Sequence, residues 1–407
     1  MPTGRLTTRA AALATAALAV GALAPVPAVH DAVTGAPVPG ATLVLPAPYV
    51  ALAPLCALAD AIAGLPVHAH YMLVLSLLAT GALWMSGRDG APNGVRRLGL
   101  RALAAVAAPL AVYVAAVLLP RPVPRLVLRD PDAVAVDFHS HTDASHDGRR
   151  DYTAAANRAW HAAAGFDVAY VTDHATFASA AAAAAANPRR AGDGTVLLTG
   201  VEVRRRGQHL DVLGTGPADS LAYADGELHA DALAPDRSTE RVLLLTLPAH
   251  LDRVRPTDGL HAIELSDGSP RGLEQSDRER RAVVALADSL HLALLAGSDD
   301  HGWARNAVAW SVLRIPGWRA LSPDALDRAI RAAIRARGRA AVQVIERRAS
   351  VVPGGSLASP MDELFVRLWL LCRALSWPER AAWLAWIWIP ALLSGLTRRT
   401  GSSAFLN

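Results

Sequence analysis

The sequence predicts an α/β unit with a largely parallel sheet, open or closed into a barrel, preceded by an all-α apolar region. Three observations point there. Residues 130–350 alternate strand-like and helix-like segments, and they carry most of the Asp, Glu and His; the first 120 residues are overwhelmingly Ala, Leu, Val and Pro. Strand–helix alternation covers a sheet with helices and favours parallel pairing. At 407 residues the chain is long enough for more than one unit. A hydrophobic content of 52% makes membrane segments the first thing to look for.

Four N-terminal stretches, 8–28, 41–63, 66–86 and 99–120, approach the roughly 20 apolar residues that a span requires. Residues 1–125 are therefore expected to form a transmembrane region of three or four helices. The first stretch follows Arg5 and Arg9 and could instead be a secretory signal. The second contains Pro46, Pro48, Pro54 and Asp60 and is the least secure. Near the C-terminus, 364–396 is apolar and holds Trp369, Trp377, Trp383, Trp386 and Trp388, interrupted by Pro378, Glu379 and Arg380. Tryptophan favours membrane–water interfaces, so 360–400 reads as a helix that spans or lies in the interface. A multi-pass membrane location follows. Arg5 and Arg9 favour a cytoplasmic N-terminus, and four spans then leave 130–350 cytoplasmic. Dropping the second span exports it.

The α/β elements follow in order. Val134–Phe138 reads as a strand, 151–164 as a helix, and Phe166–Thr172 as a second strand. The alanine run 176–186 is a good helix former that stops at Asn187-Pro188. Thr195–Val203, His209–Leu213 and Val242–Leu247 are strand-like. A helix at 273–290 precedes strands at His291–Ala296 and Val308–Ile315. Ser322-Pro323-Asp324 pairs an N-cap residue with proline at the first helical position, starting a helix that runs to about Arg337. A strand near Ala340–Ile345 closes the series.

All 40 basic residues are Arg, which excludes Schiff-base and lysine-nucleophile chemistry. They form no concentrated basic stripe with interleaved aromatics, so no nucleic acid is expected as a partner. Cys56 and Cys372 sit in apolar stretches and make neither a disulfide framework nor a CxxC site.

The chemistry concentrates in Asp137-Phe138-His139-Ser140-His141-Thr142-Asp143-Ala144-Ser145-His146-Asp147-Gly148. His139 and His141, two apart at a strand end, point to one face and can share a cation. A second such pair, His68 and His70, has no carboxylates around it and reads as a loop or interface feature. The first pair gains weight from the segments downstream: Thr172-Asp173-His174, Gly200-Val201-Glu202, Gln208-His209-Leu210, Pro248-Ala249-His250 and Gly297-Ser298-Asp299-Asp300-His301. Catalytic residues gathered at the C-terminal ends of parallel strands are what a barrel site requires.

These motifs, in this order, resemble the polymerase and histidinol phosphatase (PHP) family of metal-dependent phosphoesterases over roughly 133–348. The resemblance implies a distorted (β/α)7 TIM-like barrel with two or three divalent ions, Zn²⁺, Mn²⁺ or Fe²⁺. By motif, His139, His141, Glu202 and Asp299 would hold one ion, and Glu202 would bridge to a second held by His209 and His250. Asp147, His174 and His301 would hold a third, with His146 as the alternative to Asp147. Glu202, Asp299 and His301 are the residues expected to carry catalysis. Leu251 departs from the family's usual proline, and Asp300 fills a variable position.

Imidazole and carboxylate donors without thiolates suit such ions. Ions of this kind activate water, and no protein nucleophile is needed. The expected reaction is hydrolysis of a small-molecule phosphate ester. The alternatives are ester or amide hydrolysis at the same metals, or a metal-dependent sensor or binding module without turnover. Asp173 reads as either an orienting residue or a helix cap. Arg204, Arg205, Arg206, Arg253, Arg255 and Arg305 lie near ligand motifs, and His161, His229, His261 and His291 match no ligand position.

Overall fold

The computed structural model describes residues 3–86, 95–223, 225–229, 240–246, 251–348 and 360–402. Ten strands form one mixed sheet: β1 (Val29–Asp31), β4 (Ala133–Ser140), β5 (Val168–Val171), β6 (Val196–Arg205), β7 (Gln208–Leu213), β8 (Val242–Leu245), β9 (Ala262–Asp267), β10 (Ala293–Gly297), β11 (Ala309–Arg314) and β12 (Val342–Arg347). Two more, β2 (Ala41–Val44) and β3 (Arg125–Leu128), pair as a separate ribbon. The order in the large sheet is β1-β12-β11-β4-β5-β6-β7-β8-β9-β10.

The sheet curls as a half-barrel. Its end strand β10 returns to β4, where the Ser298 and Asp299 N–H groups donate to the His139 carbonyl at 3.1 and 2.8 Å. His141 N–H donates to the Asp300 carbonyl at 3.1 Å. Gly297 permits this approach, since a Cβ there would lie 2.4 Å from both His139 Cβ and Glu264 Oε1.

Two expectations about the sheet are corrected. Pairing is parallel through β4-β5-β6 and β8-β9-β10, but β7 runs against both β6 and β8. The β6–β7 connection is a two-residue turn at Arg206-Gly207, both with positive φ (53° and 77°), too short for a crossover helix. Strands β11 and β12 pair antiparallel outside the half-barrel, on the free edge of β4. Alternate residues of β4 and β5 build one buried face of the curl. Val134, Val136, Phe138, Val168 and Tyr170 are buried together, with Phe138 stacked on Tyr170 at 5.5 Å between ring centroids.

Helices start where local chemistry says they should. Thr153 caps Ala154–Ala164, Ser276 and Glu279 form a capping box on Asp277–Leu290, and Ser322 caps Pro323–Arg337. The alanine run yields only a short helix, Ala180–Ala185.

The expected boundary near 125–130 is crossed by the chain. Strand β1, from inside residues 1–125, pairs with β12, and β2 pairs with β3. The stretch 41–63 is therefore not one apolar helix. It is β2 followed by helices Ala47–Ala51 and Ala53–Ala63, broken where Pro46, Pro48 and Pro54 lack backbone donors. Asp60 is buried among partners: Arg121 Nε at 2.6 Å and Arg347 at 2.8 Å pair with it ionically, and Tyr49 OH donates to it at 2.8 Å. This network ties the helical layer to β12.

The remaining apolar stretches form helices Thr3–Leu23, Val67–Ser86 and Val95–Leu118, with Pro360–Ala374 and Trp377–Ser402 at the C-terminus. Among the described residues no single helix is long and apolar enough to cross a membrane. One pair, Ala53–Ala63 with Val67–Ala82, passes that test only together, bent by 118° at the break.

Candidate metal centre

The C-terminal rim of the curled sheet gathers eight of the nine expected ligands, and the ninth, His250, lies outside the described residues. His139 is the penultimate residue of β4 and His141 follows the strand, both fully buried. His174 follows β5, Glu202 lies within β6, and Asp299 and His301 follow β10. His209 sits at the start of β7, not at a strand end. Because β7 reverses direction, its start lies beside β6 near Glu202, with Arg204 opposite His209 and Glu202 opposite Asp211.

Four donor atoms form a tight group. His139 Nε2 lies 3.2 Å from Glu202 Oε2 and 3.4 Å from Asp299 Oδ1. His141 Nε2 lies 3.3 and 3.2 Å from the same two oxygens. Ligands bound at roughly 2.0–2.1 Å in a tetrahedron stand about 3.3–3.4 Å apart, so these spacings are those of a shell around one ion. His141 Nε2 and His301 Nε2 are buried beside carboxylate oxygens at 3.1–3.3 Å but make no well-aligned hydrogen bond to them. Such orphaned nitrogens are costly unless a cation completes them. The residues fit a divalent ion.

Glu202 divides its two oxygens between ligand sets. Oε2 faces His139, His141 and His174 Nδ1 (3.3 Å), while Oε1 takes His209 Nδ1 at 2.5 Å. That is the placement of a bridging carboxylate. A further group, His141, His174 and His301, brings donor nitrogens within 4.8 Å of one another. Asp147 faces it, 3.1 Å from His301 Nε2 and 3.5 Å from His174 Nε2, whereas the neighbouring His146 side chain is 76% exposed.

Three carboxylates that sequence reasoning did not single out stand behind His139. Glu264 Oε1 lies 3.3 Å from His139 Nδ1, which fixes the ring with Nε2 toward the centre. Asp211 and Asp267 complete separate donor groups with His139. Glu264 and Asp267 lie on β9, a strand not anticipated, although 261–268 carries its signal: apolar residues within His-Ala-Ile-Glu-Leu-Ser-Asp, ended by Gly268. Asp137 was passed over too. Its Oδ1 accepts from the backbone of His139 and Ser298, and its Oδ2 meets His161 Nε2 at 2.7 Å, so His161 is a buried positioning residue.

Charge in this cluster is strongly unbalanced. Burial would lower the His139 pKa most, but Asp211, Asp299, Glu202 and Glu264 together raise it well above the imidazole range. Burial opposes His141 likewise, yet the Asp299 and Glu202 carboxylates beside it raise it to about 10. Burial drives Asp211 and Asp267 up, well above the carboxylate range, in the field of the neighbouring acids. Against burial, His139 and His141 hold Glu202 well below that range and Asp299 at about 2. In the metal-free protein, imidazolium protons offset carboxylates that an ion would otherwise neutralise.

The surrounding polar residues brace the ligand loops. Asp173 accepts from Thr142 N–H (2.6 Å), Thr142 Oγ1 (2.8 Å) and Ser179 Oγ (2.5 Å), holding the His141 loop. Asp300 accepts from Tyr152 OH and from the backbone of Gly302 and Ala304, and so shapes the loop that carries His301. Asp299 itself has φ +46°, a strained conformation for a side-chain-bearing residue, held by its backbone bond to His139. Arg205 and Arg206 are tied to Asp258. His68 and His70 occupy the first turn of Val67–Ser86, with His70 Nδ1 2.9 Å from Tyr113 OH.

No protein-family profile matches the chain, and no curated protein sequence does. Solved structures are similar at low scores. PsfC from Pseudomonas syringae has a TM-score of 0.36 and 16% identity over 60% of this chain and 100% of its own. A protein from Bifidobacterium adolescentis, assigned as a metal-dependent phosphoesterase, has 0.31 and 17% over 48% and 95%. The lesion-specific endonuclease EndoQ from Pyrococcus furiosus has 0.35 and 13% over 51% of this chain and 56% of its own. A complex of Endonuclease Q with a 27-mer duplex bearing an abasic lesion has 0.34 and 14% over 53% and 58%. The chain thus spans a little over half the length of these endonucleases. The expectation that nucleic acid plays no part is withdrawn in view of the endonucleases among these structures, one of them solved with a duplex substrate.

Proposed function

We propose that the chain is a PHP-type metal-dependent hydrolase that cleaves a phosphate ester on two or three divalent ions. The carrying observation is the square of contacts, 3.2–3.4 Å, made by His139 and His141 Nε2 with Glu202 Oε2 and Asp299 Oδ1. In this reading the half-barrel is a distorted (β/α)7 barrel, and the apolar helices on either side of it hold the protein at a membrane.

Bound ions would supply an activated water and neutralise charge on the phosphoryl group. The chain's own residues do the rest. Glu202 faces two ligand sets through its separate oxygens and would contribute to holding an ion in each. Glu264 and the Asp137–His161 pair hold the His139 ring and backbone in place. Asp300 and Tyr152 hold the loop that carries His301. No serine, cysteine or lysine is required as a nucleophile.

Full-length protein, stripped of metal and reloaded with Mn²⁺, Zn²⁺ or Fe²⁺, should hydrolyse p-nitrophenyl phosphate or its bis ester. Glu202→Gln should lose that activity. Abasic duplex DNA belongs in the same assay, given what Endonuclease Q binds. Cleavage of p-nitrophenyl acetate alone would replace the phosphoesterase reading with the carboxyl-ester one. Metal uptake without cleavage of any of these would leave a binding module.

A further inference from the structure

A cavity of about 290 Å³ opens onto the centre at Asp147, Asp299 and His301. Its opposite wall is not part of the sheet. Ala63 and Gly64 come from the end of helix Ala53–Ala63, His70 from the first turn of Val67–Ser86, and Val117 from the last turn of Val95–Leu118. Trp303 forms the lip and is 53% exposed. The break between the two bent helices therefore faces the metal ligands.

The two walls differ in chemistry. The floor is ionic, whereas the polar groups on the helical side are already engaged. On that side His70 Nδ1 pairs with Tyr113 OH, and Arg305, reaching across from the loop after β10, donates through Nε to the Leu118 carbonyl at 3.0 Å. A sugar or nucleoside leaving group would gain few hydrogen bonds there. An alkyl group would gain apolar contact with Ala63, Val117 and Trp303. Asn306 also lines the cavity, and its Nδ2, in a residue only 7% exposed, has no hydrogen-bond partner. Apolar surface continues outward along the same helices, with Tyr71, Met72 and Leu75 exposed on one and Val112 and Leu118 on the other.

We infer that the cleft takes an amphiphilic phosphate ester, with Asn306 Nδ2 on a phosphoryl oxygen and the apolar chain leaving between Ala63, Val117 and Trp303. This rests on the phosphoesterase reading and narrows its substrate class. The helical region is then one wall of the substrate site as well as a candidate anchor.

Alkylphosphonates carry the head group and the chain without a cleavable bond. Metal-loaded full-length protein in lipid nanodiscs is titrated calorimetrically with methyl-, butyl- and hexylphosphonate, and the metal-stripped protein subtracts partition into lipid. Affinity should rise about fourfold per methylene over the first few carbons, as burial of each one predicts. Val117→Asp should reduce the hexyl-to-methyl ratio at least about tenfold, the loss of two such methylenes. Val117 is half-buried, so Trp303→Ser, at an exposed position, provides an independent variant with the same expected direction. Affinity independent of chain length in the unaltered protein overturns the inference and leaves the phosphoesterase reading standing. Failure of every phosphonate, methyl included, to bind a metal-loaded protein overturns both. Phosphatidic acid in phosphatidylcholine vesicles separates the sources: competition with hexylphosphonate supports a lipid, and a chain-length gain without competition supports a dissolved amphiphile.

Discussion

Replacing Gly297 by alanine places a methyl group where β10 closes on β4. Its Cβ would stand 2.4 Å from His139 Cβ and from Glu264 Oε1, against an ordinary contact of at least 3.4 Å. Relief requires His139 or β10 to retreat by about 1 Å, whereas metal–ligand bonds hold within about 0.2 Å. His139 cannot yield sideways, because its carbonyl takes the Ser298 and Asp299 N–H groups and its ring is set by Glu264. The overpacking should cost roughly 1–3 kcal/mol, and metal affinity should fall at least about 10–100-fold. Competition with a fluorescent chelator measures the affinity, and thermal melts with and without EDTA measure how much stability the metal contributes. Wild-type protein should lose several degrees on chelation, and the Gly297→Ala protein almost none. A variant that keeps wild-type affinity and the full EDTA shift would refute the claim that His139 is a ligand fixed by this closure.

Three further outcomes follow from the same geometry. His209→Ala should lose one ion per chain while retaining the one at His139 and His141, because His209 meets Glu202 through Oε1 and not through the Oε2 that faces His139 and His141; metal analysis after gel filtration reads this directly. Metal uptake at pH 7.5 should release protons, since His139 is held well above the imidazole range and His141 at about 10 in the metal-free protein. Ligation through Nε2 requires the neutral rings, so apparent affinity should rise with pH, and calorimetric enthalpies should vary with buffer ionisation. Asp167, raised by burial to about 6, offers a stability test away from the centre. Its folded form takes up a proton more readily than the unfolded chain, so its effect on stability becomes unfavourable as pH rises from about 4 to 6. Asp167→Asn should raise the melting temperature at pH 7–8 and leave it unchanged near pH 4, in EDTA throughout.

The ligand-bearing elements were legible because each joins a strand pattern to a histidine or acid at its rim, as in Val134–His139, Tyr170–His174 and Leu294–His301. What was not legible depends on pairing partners remote in sequence. Strand β9 mixes Glu264 and Asp267 among apolar residues, and in sequence those acids resemble exposed positions. Only the curl of the sheet buries them against His139. The reversal of β7 follows from the Arg206-Gly207 turn, and it explains how a strand-initial His209 reaches a rim made of strand ends. The stretch 41–63 has the apolar composition of a span, but its prolines divide it, and Asp60 is satisfied by Arg121 and Arg347 from outside the stretch. His70, in sequence a loop or interface feature, lines the cleft because helix Val67–Ser86 packs beside the loop that carries Asp299 and His301.

The central claim is that His139, His141, Glu202 and Asp299 hold a divalent ion. Elemental analysis of full-length protein, reloaded and freed of excess metal, tests it most directly when run beside Asp299→Ala and Glu202→Gln. Two or three ions per chain in the unaltered protein, and a loss of at least one in each variant, is the predicted result. A metal-free chain after reloading, or variants that retain the full complement, would contradict it.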